Sequence, residues 1–287
     1  MADSHGNIWT GVDDGRIIGI PAAGGEPAVI GDTGGRPLGL AVAHDGRLLV
    51  CDSPRGLLAM DTATGTVETL VDTVGGRHLT FCSNVIESSD GTIYFTESTS
   101  AFTYPHAIGA ILEGRGRGSL FRRDPDGTVT TLLSGLYFAN GVTLTVDESA
   151  VVFAETLARR LSTYWLAGPR AGSVTPLAVN LPGAPDNLST GTDGRIWCAM
   201  VSPANPALDR LLPRAPILRK LVWRLPGRRQ PIESEVWAVA FDPHKGDPVG
   251  GVRTRHPDFG QVTGLVELDG RLWMGCIDGS ALAYTVL

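Results

Sequence analysis

Asp193-Gly194-Arg195-Ile196-Trp197 reads as a tight turn running into a β-strand. Asp-Gly supplies the turn, and the branched and aromatic residues after it favour extended chain. The pattern recurs at His5-Gly6-Asn7-Ile8-Trp9, Asp45-Gly46-Arg47-Leu48-Leu49, Asp90-Gly91-Thr92-Ile93-Tyr94, Asp147-Glu148-Ser149-Ala150-Val151 and Asp269-Gly270-Arg271-Leu272-Trp273. Successive turns lie about 40, 45, 57, 46 and 76 residues apart, at or beyond the length of one propeller blade. Six such turns predict an all-β, six-bladed β-propeller, with residues 1–287 forming a single domain. A ring of this kind brings the same position of every blade to one central channel, so the channel is where function is sought.

Composition agrees. Thirty-seven Gly and 19 Pro suit a fold rich in tight turns, and 43% apolar residues are ample for a core. A net charge of −6 excludes a nucleic-acid partner, which needs a basic face. No apolar run approaches the ~18 residues of a transmembrane segment. No leader pattern opens the chain, which predicts a soluble, cytoplasmic protein. Of the four cysteines, Cys51, Cys198 and Cys276 fall in or at the ends of predicted second strands, and no Cys-x-x-Cys pair suggests a metal. They read as packed structural thiols.

Two intervals are inflated, by insertions between Glu97 and Arg117 (blade 3) and between Val201 and Glu235 (blade 5). The second places Leu208, Leu211, Leu212, Ile217, Leu218 and Leu221 at roughly helical spacing, with Pro206, Pro213 and Pro216 cutting any helix short. In an up-and-down blade the second strand returns to the rim where the inner strand began. Both insertions therefore hang over one mouth of the channel, as lids. Blade 6 shows strands at Thr263–Leu268, Leu272–Cys276 and Ala281–Val286, whereas blade 1 opens on the turn before its second strand. The N-terminal blade is expected to be incomplete, with Met1 as a truncated start and no inner strand of blade 1 encoded.

Eight residues before each turn position stand Leu38, Ser83, Asn140, Asp186 and Val262, followed by Gly39, Asn84, Gly141, Asn187 and Thr263. Blades 3, 4 and 5 thus offer Ser83/Asn84, Asn140 and Asp186/Asn187 at matching heights. One carboxylate with several amide oxygens is hard-cation chemistry of the Ca²⁺ type. Zn²⁺ would want His or Cys, which these positions lack. The other reading is a ring of polar residues bonded to one another and to water.

Several stretches carry a resemblance. Gly35-Arg36-Pro37-Leu38-Gly39-Leu40, Thr92-Ile93-Tyr94-Phe95-Thr96-Glu97-Ser98, Phe138-Ala139-Asn140-Gly141 and Pro185-Asp186-Asn187 resemble the strictosidine synthase-like family. That family belongs to the calcium-dependent six-bladed propellers, with gluconolactonase/regucalcin and the paraoxonases. The resemblance implies that Asn140 and Asp186 ligate Ca²⁺ or another divalent cation, with Asn84 beside them, and that Ser83 and Asn187 belong to the metal or substrate shell. It also implies a blade 1 glutamate, whose position falls before Met1. Plant strictosidine synthases condense an amine with an aldehyde using a blade 6 glutamate. Thr263 stands there, with Gln261 nearby, which disfavours that reaction. Leu38 and Ser53 stand where paraoxonases carry a histidine pair.

The expectation is a metal-dependent hydrolase of a small ester or lactone, with Asp186 as metal ligand and catalytic base. Glu97 is a second base candidate, and a salt bridge is its plainer role. Phe102 and Tyr104 in the first lid are expected to contact substrate, with Leu208, Leu211, Leu212 and Trp223 adding apolar wall. His106 is a candidate proton shuttle. The alternative is a non-catalytic propeller binding a ligand or partner on its lidded face.

Overall fold

Each predicted turn closes as its side chains dictate. The carboxylates of Asp45, Asp90, Asp147 and Asp193 each accept the backbone N–H two residues on, at 2.9–3.1 Å. Gly46, Gly91 and Gly194 then take φ of 84°, 81° and 86°, a region where any side chain is strained. The chain reverses there, and the inner strand of a blade meets its second strand.

The structure, a computed structural model, describes residues 1–22, 25–211, 219, 234–277 and 279–287. Among the described residues its strands form six antiparallel blades and one two-stranded ribbon. Blades 2 to 5 have four strands in sequential order, and blades 1 and 6 have three. From blade 2 to blade 6 the inner strands are Pro37–Val42, Cys82–Glu87, Ala139–Leu144, Gly183–Thr190 and Val262–Leu268. Their second strands are Leu48–Asp52, Ile93–Glu97, Ala150–Glu155, Ile196–Pro203 and Arg271–Cys276. Blade 1 holds Ile8–Gly11, Arg16–Ile20 and Ala28–Asp32.

Blade 1 has three strands, as expected of an incomplete blade, with a short pairing ahead of the first. Ala2 bridges Ile8, and the Trp9 N–H donates to Met1 O at 2.7 Å. The first two residues therefore already pair where an inner strand runs. A two-stranded ribbon, Thr73–Val74 with Arg77–His78, follows blade 2 and had no signal in the turn pattern.

The core lies between blades. Ile17 of blade 1 packs on Leu48, Val50, Leu58 and Met60 of blade 2. Cys51 and Leu57 of blade 2 meet Val85 and Phe95 of blade 3, and Leu120 of blade 3 meets Val142 and Phe153 of blade 4. Val152 and Leu161 then meet Ile196 and Trp237, and Ala199 and Ala238 meet Val262 and Leu272. Blades 2 to 5 bury both faces against neighbours, which explains second strands such as Ala150–Glu155 that are buried throughout rather than alternating. Near the axis glycine permits the closest approach. A Cβ on Gly141 would stand 2.4 Å from Asp186 O, and one on Gly39 2.5 Å from the Asn84 Cα.

The first insertion folds as a 3-10 turn, Tyr104–His106, leading into helix Ala107–Glu113. Gly114 ends the helix in the left-handed region, and Arg117 pairs bidentately with Glu113 at 2.7 Å. From the second insertion, helix Pro206–Leu211 and Arg219 are described, and Arg219 donates to Leu112 O at 3.1 Å. The two insertions therefore touch over one rim. Leu212, Pro213, Pro216, Ile217, Leu218, Leu221 and Trp223 lie outside the described residues, as do the side chains of Leu208 and Leu211.

Candidate functional site

Every inner strand from blade 2 to blade 6 carries a β-bulge at the same place. In blade 3, Cys82 pairs with Glu97 and Val85 with Phe95, so Ser83 and Asn84 face a single partner step. The same extra residue occurs at Asn140-Gly141, Asp186-Asn187, Leu38-Gly39 and Thr263. A bulge twists the strand and re-aims its side chains. Here it turns successive blades toward a cavity of about 920 Å³ along the channel, lined by Ser83, Asn84, Asn140, Asp186 and Asn187 among others.

Within that cavity the polar side chains hold one another. The Ser83 hydroxyl donates to Asn140 Oδ1 at 3.1 Å, and the Asn140 side chain also bonds Asp186. Asn84 Nδ2 donates to Asn187 Oδ1 at 2.6 Å, linking blades 3 and 5 past blade 4. Threonines from second strands and their turns fix the backbone behind them. Thr96 Oγ1 donates to Asn140 O at 2.6 Å and accepts the Asn84 N–H at 3.1 Å. Thr156 Oγ1 donates to Pro185 O at 2.7 Å and accepts from Asn140 Nδ2.

Asp186 is partly exposed, and the surface it shows faces the cavity. Removal from bulk water pushes its carboxyl up to about 7, against the opposing pull of the Asn140 side chain and the Asn187 N–H. No cation pairs with it among the described residues. The donors around it are all oxygens, one carboxyl with amide and hydroxyl groups, which fits a hard cation in kind. No group of three His, Cys, Asp or Glu side chains that could hold a metal occurs among the described residues.

The lid residues divide. Tyr104 lines the cavity, and its N–H donates to Ser53 Oγ at 3.1 Å. Phe102 does not line it. Its ring packs on the lid helix at Gly109, where an added Cβ would come within 2.4 Å, so the expected substrate contact is replaced by a packing role. His106 is exposed beside Thr103 rather than in the channel, which removes it as a proton shuttle. Glu97 is fully buried, but Arg77 clamps it bidentately and the Thr80 N–H donates to it at 2.8 Å. It is a salt bridge, not a base. Glu155 repeats the device with Arg160 and the Tyr137 N–H.

Phe81 and Phe138, which the turn spacing does not mark as site residues, join Tyr104 in an aromatic row beside the ring. Tyr104 meets Phe81 edge-on at 5.9 Å, and Phe81 meets Phe138 at 5.5 Å, all three at the cavity wall. Phe138 has φ of 61°, an unusual conformation for an aromatic residue, anchored where its carbonyl accepts the Thr156 N–H. Its signal lay in the sequence, two residues before Asn140, but only the left-handed turn sends the ring to the cavity.

No helix among the described residues is long and apolar enough to cross a membrane. The strictosidine synthase family profile matches residues 84–169. Strictosidine synthase-like 4 of Arabidopsis thaliana is 31% identical over 281 residues, covering 94% of this chain and 73% of that protein. The chain spans 48–59% of the length of several other curated relatives. A gluconolactonase from Xanthomonas campestris superposes with a TM-score of 0.68 at 18% identity, over 97% of this chain and 81% of that one. A calcium-binding regucalcin from Agrobacterium tumefaciens gives 0.65 at 18%, over 98% and 81%. At these identities the two structures speak for the fold.

Proposed function

Because the chain belongs to the strictosidine synthase-like family, we propose that it is a metal-dependent hydrolase of esters or lactones acting at Asn140 and Asp186. The observation that carries this reading is the row of aligned bulges, which gathers one carboxyl with no cation beside it and several amide oxygens at one level of the central channel. Asp186, Asn140 and Asn84 would hold a calcium-type cation. When bound, it supplies Lewis acidity toward a carbonyl oxygen. The chain's own groups do the rest. Asp186, with one carboxylate oxygen left free, takes a proton from the attacking water. Ser83 and Asn187 orient the ester, and Tyr104, Phe81 and Phe138 cover its apolar part and exclude bulk water.

Two features narrow the reading. Thr263 lines the cavity where amine–aldehyde condensation would want a carboxylate, so that reaction is not proposed. The mutual bond of Asn84 and Asn187 engages two amides with each other, which favours a binding-only propeller as the second reading.

The test is thermal unfolding in Ca²⁺ and in EDTA, followed by assay against aryl esters and γ- and δ-lactones. Ca²⁺ should raise the Tm by several degrees, and Asp186→Asn should abolish both that rise and turnover. A Tm indifferent to Ca²⁺, or a rise that persists in Asp186→Asn, would overturn the metal reading. Ca²⁺ binding with no turnover of any ester or lactone would leave the binding-only propeller.

A further inference from the structure

Arg36 stands just before the inner strand of blade 2, on the lidded rim, and lines the cavity. Its guanidinium lies over the Tyr104 ring, 4.7 Å from the centroid. One terminal nitrogen donates to Pro37 O at 2.9 Å, and Nε is enclosed without an acceptor. Other arginines are handled differently: Arg47, Arg77, Arg117, Arg160 and Arg253 each pair with a carboxylate. Among the described residues no carboxylate pairs with Arg36. A half-buried guanidinium without a counter-charge is costly unless something supplies one.

The position of this charge is informative. From Arg36 the wall runs through Tyr104 and Phe81 to Phe138, two residues before Asn140. Along this wall the cavity therefore presents a cation, then an apolar aromatic face, then the ring around Asp186. A planar guanidinium matches a carboxylate through paired N–H donors. Arg159 also lines the cavity but is already engaged, so Arg36 is left to balance a single negative charge.

We propose that Arg36 is a carboxylate-recognition site, and that the substrate is an amphipathic monoanion with its carboxylate at Arg36 and its ester or lactone carbonyl at the polar ring. The substrate class rests on the hydrolase reading. The subsite itself needs only that this cavity is where small molecules bind.

The experiment compares 4-phenylbutyrate with its neutral isostere 4-phenylbutyramide by calorimetric titration, in EDTA so that no metal takes the carboxylate. The wild-type protein should bind the acid at least ten-fold more tightly than the amide. Arg36→Gln should erase that preference, and Arg36→Lys should keep part of it, since the charge remains but the fork is lost. If Arg36 only props the lid through Tyr104, Arg36→Gln lowers the Tm and weakens both probes alike, which overturns the proposal. Equal binding of the two probes by the wild type, binding of neither, or a preference that survives Arg36→Gln also overturns it. Should Arg36→Gln fail to fold, Arg36→Lys decides: an undiminished preference for the acid counts against the subsite. A charge preference governed by Arg36 in a protein that hydrolyses no ester sinks the hydrolase reading and leaves the subsite standing.

Discussion

Asp90, exposed in the turn of blade 3, receives the Ser88 hydroxyl at 2.6 Å and the Thr92 N–H at 2.9 Å. The Ser88 bond, then the Thr92 bond, hold its carboxyl down at about 2, while burial holds Asp186 up at about 7. Asp90 ionises more easily folded than unfolded, where about 3.9 is usual. Its contribution to stability is therefore complete above pH 4 and is lost as the pH falls through 2. A carboxyl-carbon NMR titration should give Asp90 a midpoint near 2, and a midpoint near 4 would show that these bonds do not persist in solution. The Asp-Gly turns were legible because their chemistry is local: an Asp and a positive-φ Gly specify the reversal whatever surrounds them. The Asp186 environment was not, because desolvation depends on what three blades exclude from one cavity.

The bulged inner strand is the element on which the site depends. Counting back from a turn located Ser83, Asn140 and Asp186, but a count cannot show that each strand holds an extra residue there, since the bulge exists only against its partner strand. Gly141 exposes the tightness of this arrangement. Gly141→Ala would push a methyl into Asp186 O and Leu188 N, backbone atoms that cannot swing aside. Denaturant unfolding should show a loss of about 1–3 kcal/mol, typical of overpacking. The substitution should also weaken any Ca²⁺-dependent rise in Tm, because it moves Asp186 relative to Asn140. Unchanged stability would mean that blades 4 and 5 are less closely packed than described. The lid was legible only in part, for a related reason. Phe102 and Tyr104 stand two residues apart, yet one packs on the helix and the other reaches the cavity, a choice made where the extended Thr103 leads into the 3-10 turn that starts at Tyr104.

At the scale of the whole molecule, buried carboxylates at the lidded ends of the second strands tie blades 2, 3 and 4 to their surroundings. Asp52 accepts from Thr33 at 2.6 Å, Glu97 is clamped by Arg77, and Glu155 by Arg160. Arg77→Ala leaves Glu97 fully buried without its counter-charge. The predicted cost is about 2 kcal/mol by chemical denaturation, less than for a fully buried pair because Arg77 is itself partly exposed. Ca²⁺ binding should be unaffected, and loss of that binding would return Glu97 to the metal site. The amino-acid sequence alone determined the number of blades, the turn chemistry, the insertions and the residues that stand at the channel, because each follows from local propensity and a repeating period. Tertiary structure alone decided which of those residues meet, which acid is clamped and which stays unpaired, and where Arg36 points. Those outcomes depend on bulge register, on glycine-permitted contact between blades and on exclusion of water, none of which a single strand contains.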